Sequence, residues 1–411
     1  MKNGDYRTMR WLLCLLVAAV TGLASCTDDS EQEANRQPAT AIELIPCASS
    51  YVEEWPSTSA STRADNPVPW APTTPNKYYY YSDEHLNGQF VQQIDLTNNS
   101  IGIFFTQDGA TPDVLSGYFS YRGDQWRSLV EIKAQGTYQL YGYIPYEEAS
   151  ASIAGNSTYA NGAVLTLRGL RAVTPSDVCV VVGAKEGTGQ STVSGLTTGK
   201  FDYEAQAGDD AHNYVFLLFD HIYSAIRFRF TVDSRYDELR TIKLRELKLK
   251  CTEDGYKSNY DAVVTLAKTN GSSPIQSVVF SSDNNTSGAE YVSLYLWDGT
   301  ENTEEVTTNE VILHNGSYTS FRGSFMPGKF GTEPSTNTSN FTLYSRYDVY
   351  DKKGNCVRKD CEAYNKINLT SIFSTSAIQR GHMYSLTMIV TPTYLYMLSE
   401  PDLDNPTVTF E

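Results

Sequence analysis

The sequence predicts an all-β protein: two tandem antiparallel β-sandwich domains behind an N-terminal lipoprotein signal peptide. Three observations carry the fold class. Among 411 residues there are 29 Tyr and 16 Phe, with frequent Thr, Val and Ser, and such side chains suit the pleated, half-buried surface of a strand. Short runs alternate apolar and polar residues, with Gly, Asn, Asp and Pro standing between them. Helical periodicity is scarce, and many short strands separated by turns pack as sandwiches.

The chain opens with a secretory signal. Lys2, Arg7 and Arg10 precede an apolar run from Trp11 to Val20, and small residues follow. A basic start, a short apolar core and a small-residue cut site make a signal peptide. That core is too short for a permanent membrane span. Leu23-Ala24-Ser25-Cys26 places Leu three residues and Ser one residue before Cys26, which is the pattern of a bacterial lipobox. Residues 1–25 are then removed, and Cys26 carries lipid as the mature N-terminus. Several acyl chains on one Cys hold a protein on a membrane, so the rest of the chain is expected outside the cytoplasm and tethered. The alternative is an ordinary signal peptide with a chance Cys. Thr27 to Glu33 is acidic and reads as a solvated linker.

Composition narrows the function. A formal charge of −16 argues against nucleic acid and against electrostatic binding to an anionic surface. The mature chain of about 385 residues is long enough for two domains with real cores. Cys14 leaves with the signal. Cys47, Cys179, Cys251, Cys356 and Cys361 then remain beside Cys26, an odd number that cannot all pair within one chain. Cys356 and Cys361 flank four residues and could form a local disulfide in an oxidising space, or stay as free thiols. A zinc site is not expected there, because no His lies near. His85, His212, His221, His314 and His382 show no metal spacing, and no nucleophile elbow or phosphate loop is present. Neither a metal, a cofactor nor a catalytic residue is expected, and His221 reads as a satisfied core residue. Asp402-Leu403-Asp404-Asn405 lacks the length and terminal Glu of a calcium loop.

In chain order, residues 41–48 read as one strand, and 49–76, rich in Ser, Thr and Pro, as a long unstructured stretch containing Arg63. A lone strand cut off from its sheet by such a loop makes sense if the loop is cleaved or bridges a distance. Residues 77–82 hold four consecutive Tyr. Residues 89–97 and 101–106 read as a hairpin around Asn98-Asn99, and 125–133 as a further strand. Residues 136–146 alternate and end at Pro, as an edge strand does. Residues 147–162 read as loop, 163–167 and 177–183 as strands, the latter central because it is apolar on both faces. A Gly/Ser/Thr loop spans 187–199. Residues 214–230 form the strongest apolar segment, in which Ile226, Phe228 and Phe230 alternate with Arg227 and Arg229. This predicts one buried and one basic face. Strands are further expected over 241–250, 260–266, 275–280, 291–297, 306–313, 317–325, 341–350, 361–369 and 381–392. The domain boundary falls in the loop at 199–213, giving 26–76 as linker with the first strand, 77–205 as the N-terminal sandwich and 206–411 as the C-terminal one. The tail after residue 392 has two β-competent pieces. Tyr394, Tyr396 and Leu398 line one side of the first, and Val408 and Phe410 one side of the second.

Taken together, these features resemble the Bacteroidales fimbrillins, lipoprotein subunits of the type V pilus. The lipobox with its acidic follower carries the likeness, as do the early strand before Ser61-Thr62-Arg63-Ala64, the Tyr141-Gly142-Tyr143-Ile144-Pro145-Tyr146 run, the block from Phe219 to Phe228, and the Gly381-His382-Met383-Tyr384 strand. The acidic follower itself resembles the tag that sends such lipoproteins to the outer face of the outer membrane. The resemblance implies transthyretin-like sandwiches, a cell-surface fimbrium as the location, and trimming by an Arg-specific protease at Arg63, with Arg36 the competing site. It implies partners too: other pilin subunits through β-strand donation, the outer membrane through the lipid, and host or bacterial surface ligands. A groove opened by loss of the first strand would be filled by a neighbour's strand, and the two-piece tail is the candidate donor. The rival reading is a surface lipoprotein that binds glycans or other ligands without polymerising, through Tyr78 to Tyr81, Trp126 and Trp297. Against it stands the reading that these aromatics fill the sandwich cores.

Overall fold

The computed structural model describes residues 41–49, 52–56, 77–81, 91–95, 100–109, 113–122, 125–128, 136–187, 202–205, 212–252, 257–268, 275–282, 288, 290–297, 302–305, 311–327, 340–374 and 378–391. The described residues are mostly β-strand, as the composition predicts. The strands are β1 (Ala41–Ser49), β2 (Val52–Glu54), β3 (Lys77–Tyr81), β4 (Val91–Asp95), β5 (Ile101–Gln107), β6 (Asp113–Arg122), β7 (Gln125–Ser128), β8 (Gly136–Ile144), β9 (Ser150–Asn156), β10 (Thr158–Arg171), β11 (Val173–Thr174), β12 (Cys179–Gly187) and β13 (Asp202–Ala205). They continue as β14 (His212–His221), β15 (Ser224–Val232), β16 (Arg240–Cys251), β17 (Asn259–Ala267), β18 (Ile275–Ser282), β19 (Val292–Ser293), β20 (Tyr295–Trp297), β21 (Asn302–Glu305), β22 (Val311–Leu313), β23 (Thr319–Phe325), β24 (Asn340–Asp351), β25 (Cys356–Asn368) and β26 (His382–Val390). Two short helices, α1 (Ser234–Leu239) and α2 (Leu369–Phe373), sit at strand junctions and are capped by Asp233 and Asn368.

Four sheets form. Sheet I runs β14-β12-β8-β5-β6-β7-β1 and then β3-β4, with β13 on β8. Because β1 also pairs with β14, those first seven strands close on themselves. Sheet II is β18-β17-β10-β9, sheet III is β2-β26-β15-β23-β20-β21 with β11 on β23, and sheet IV is β19-β16-β24-β25 with β22 on β16. Inside the ring of sheet I lies one core, with Leu44, Ile103, Phe105, Leu140, Val181 and Leu217. The alternate residues Phe104, Tyr141, Val180, Val182, Phe216 and Leu218 belong to a second, larger core. That core extends over Leu165, Val264, Phe228, Leu247, Phe321 and Leu343, in sheets II, III and IV. β5, β8, β12 and β14 are thus buried on both faces, which is why 178–182 and 215–219 are unbroken apolar runs.

Several expectations change. β8 is an interior strand, paired with β5 on one side and with β12 and β13 on the other; Pro145 lies just beyond it, so its missing N–H costs the ladder nothing. Gly142 permits this packing: a Cβ there would collide with the Gly102 carbonyl of β5. β4 does not pair with β5 but with β3, so residues 89–106 are not a hairpin. Residues 147–162 are not loop: β9 and β10 pair as an antiparallel hairpin, Leu165 opposite Ile153. The expected division at 205/206 does not separate the sheets. β14, beyond it, completes sheet I, and β10, before it, pairs with β17. Alternation reveals a strand but not its partner, and these partners are distant in sequence.

In sheet IV the carboxylate of Asp348 is fully buried and accepts from Arg245 Nε and from the Asp360 N–H at 2.8 Å. Burial works against ionisation, but the Arg245 and Asp360 hydrogen bonds outweigh it and hold the carboxyl below 3.8. A depressed folded value contributes stability above the unfolded value, lost as pH falls through the folded one. Asp348→Asn should therefore cost about 1.5–3 kcal/mol at neutral pH and flatten the acid limb of a melting-temperature profile below pH 4.

Candidate functional site: the seat of the N-terminal segment

One continuous segment, residues 41–55, completes two sheets. β1 lies parallel to β14 from Ala41↔His212 to Ala48↔Phe219, and on its other side meets β7 at Leu44↔Trp126 and β3 at Cys47↔Tyr79. Leu44 is 2% exposed, inside the ring core. Three residues after β1, β2 pairs with β26, Val52 opposite His382 and Glu54 opposite Tyr384, again in parallel. The expected unstructured stretch from 49 onward therefore contains a strand of sheet III. It escaped notice because three residues are too few to show a period.

Side chains fasten this second contact. His382 Nδ1 lies 2.9 Å from Glu54 Oε1. Tyr384 beside it accepts from the Gln379 N–H at 3.0 Å, and burial pushes its phenol up to about 12, so it stays neutral. Trp55 then lies over β15. The Arg227 guanidinium is 5.2 Å from the Trp55 ring and 5.1 Å from the Trp297 ring. Arg229 is 5.1 Å from Trp55 and 4.0 Å from Tyr318. The face of β15 expected to be basic does carry Arg227 and Arg229, and it is largely covered, with Arg227 at 6% exposure. Aromatic faces attract guanidinium groups through the ring quadrupole, more strongly as water is excluded.

A second polar group is built where β12 and β14 meet sheet III. His221 Nδ1 lies 2.9 Å from Asp177 Oδ1 and 3.2 Å from Cys179 Sγ, and Arg322 Nη2 of β23 lies 3.4 Å from Asp177 Oδ2. All four residues are buried, and His221 is the satisfied core histidine expected from its apolar block. Thiol and carboxylate approach the same ring nitrogen, so the imidazole cannot relay a proton between them as a nucleophile–base–carboxylate system requires. Thiol, imidazole and carboxylate are ligand types that could hold a metal ion, but here Arg322 balances the carboxylate. Positions 177, 179, 221 and 322 carry no joint sequence signal, since three strands must assemble to bring them together.

Of the predicted site residues, Cys26, Arg36, Arg63, Tyr394, Tyr396, Leu398, Val408 and Phe410 lie outside the described residues. Cys356 and Cys361 are free thiols on β25, the second of the two alternatives their spacing leaves open. Cys356 pairs with Tyr350 and Cys361 with Tyr347. Three rungs of strand, about 10 Å, exceed the roughly 7 Å that a disulfide bridges between Cα atoms. Trp297 is 8% exposed and packs with Ala225 and Met383, as the core reading of that aromatic requires.

No family model matches the sequence, and no curated protein matches it. Solved structures that it is similar to are cell adhesion and fimbrial proteins of Bacteroides. A candidate cell adhesion protein from Bacteroides fragilis NCTC 9343 aligns with a TM-score of 0.40 at 9% identity, over 86% of this chain and 94% of that one. A fimbrial protein from Bacteroides vulgatus ATCC 8482 aligns at 0.32 with 12% identity, over 71% and 88%. A fimbrial protein from Bacteroides ovatus ATCC 8483 aligns at 0.26 with 10% identity, over 86% and 51%.

Proposed function

We propose that this chain is a structural, non-enzymatic subunit of a cell-surface fimbria, assembled by strand donation once its N-terminal segment is cut away. The carrying observation is the seat of residues 41–55. A single segment ahead of Arg63 in the chain supplies a strand to each of two sheets, so one cut would free both. Its loss exposes unpaired backbone along β14 and β26 and an apolar slot where Leu44 sat. A strand from another copy restores both kinds of contact by β-augmentation. The tail with Tyr394, Tyr396, Leu398, Val408 and Phe410 is the proposed donor. Lipid on Cys26 brings the uncut chain to the outer membrane, and host or bacterial surface ligands are its proposed adhesion partners.

Expression of the full chain with an Arg-specific protease tests this. Ladders of detergent-resistant oligomers should appear, and their N-terminal sequence should begin at Ala64. A start at Gln37, after Arg36, would leave β1 in place and block assembly. Arg63→Gln should keep the chain monomeric with its segment attached, lowering polymer yield by at least about tenfold. An Arg63→Gln chain that polymerises like the parent overturns the reading. A ligand-binding lipoprotein would instead stay whole and monomeric under the protease.

A further inference from the structure

The outer face of sheet III carries an alternating row: Trp297, Arg227, Trp55, Arg229, Tyr318. Four of the five belong to the folded body, on β15, β20 and the turn before β23. Only Trp55, in the middle, belongs to the segment proposed to leave. Its departure strips Arg227 and Arg229 of a shared ring and leaves His382 without Glu54. The vacated place has a definite chemistry: a slot between two guanidinium groups that fits an aromatic ring, beside a histidine that fits a carboxylate.

Resting on the strand-donation reading, we propose that this slot is an aromatic-binding clamp, and that its second occupant is a tyrosine of residues 393–398 of another copy. The tail matches the departing segment in kind. Val52-Glu53-Glu54-Trp55 joins acidic residues to an aromatic one, and the tail joins Tyr394 and Tyr396 to Glu400, Asp402 and Asp404. An electron-rich phenol ring takes the indole's place between the guanidinium groups, and a carboxylate takes that of Glu54. The chain's own Tyr394 does not reach. Trp55 follows the Glu54↔Tyr384 pair, so the slot lies about five rungs behind Val390, roughly 17 Å along the strand. Tyr394 and Tyr396 are four and six residues past Val390; reversing the chain takes about two of them, so the remaining two and four span at most about 7 and 14 Å. The clamp thus selects for a tail arriving from a neighbour.

The test uses the full chain, cut by the Arg-specific protease, with a photo-crosslinking phenylalanine analogue at position 394 or 396. Mixing it with isotope-labelled chains marks which copy is captured. The expected product joins the tail of one copy to peptides around Trp297 or Tyr318 of the other, and only after cutting. Tyr394→Leu with Tyr396→Leu should slow ladder formation about tenfold, whereas the two Tyr→Phe changes should not; Arg229→Met should match the Leu pair. Polymers whose crosslinks lie elsewhere, crosslinks within one chain, or a Leu pair that assembles at the parent rate overturn the clamp while leaving strand donation intact. If no polymer forms at all, strand donation fails. The clamp is then judged alone, by crosslinking a synthetic peptide of residues 391–411 to the cut monomer, and no capture near Trp297 or Tyr318 overturns it as well.

Discussion

Leu44→Ala in the uncut chain is expected to lower the unfolding free energy by about 2–5 kcal/mol. Leu44 is the described anchor of β1 in the ring core, packed in one cluster with Phe105, Leu140 and Leu217. Its backbone is held from both sides, by Val215 of β14 and Trp126 of β7. A cavity made between two fixed flanks collapses poorly, and the cost of truncation rises with the volume left empty. The denaturant midpoint should fall with an unchanged slope. A change under 1 kcal/mol would show that β1 contributes little to the fold, and a segment so loosely held could not keep a groove closed until it is cut. Once cut, parent and variant should become indistinguishable, because the residue has gone with its segment.

The second large effect is expected at Arg322. Arg322→Met should cost about 3–5 kcal/mol, because it leaves the Asp177 carboxylate buried without its cation. Arg322 is 2% exposed and Asp177 4%, so water cannot replace the lost partner. The pair also joins β23 of sheet III to the start of β12 in sheet I, so its loss loosens the contact between sheets and not one strand alone. Asp177→Asn combined with Arg322→Met should recover part of the loss, since a neutral amide beside His221 needs no counter-charge. A double variant as damaged as the sum of the two singles would show that the residues act separately.

Strand existence was largely legible. β1, β5, β12, β16, β17, β18, β24 and β26 lie where alternation or apolar runs place them, because side-chain period is local. Pairing was less legible. The two residues at Asn98-Asn99 suggest a hairpin, yet the strands on either side turn to other partners. The Pro after Ile144 suggests an edge, yet β8 ends before the Pro matters. Residues 150–156 look like loop because Ser, Ala and Gly are small, and only the neighbouring β10 ladder makes them a strand.

The candidate site divides in the same way. By itself the sequence determined an early strand ahead of a Ser/Thr-rich loop with an Arg, and a strand with alternating Arg and apolar residues, since both are patterns over a few neighbouring positions. Only the tertiary structure decided that β1 closes a ring, that β2 crosses to another sheet, and that Trp55 rests between Arg227 and Arg229. Residues 55 and 227 are far apart in the chain, and nothing in the local pattern of either requires the other. Their contact exists because parallel pairing with β26 carries the segment across the sheet, and chain topology, not residue type, sets that route.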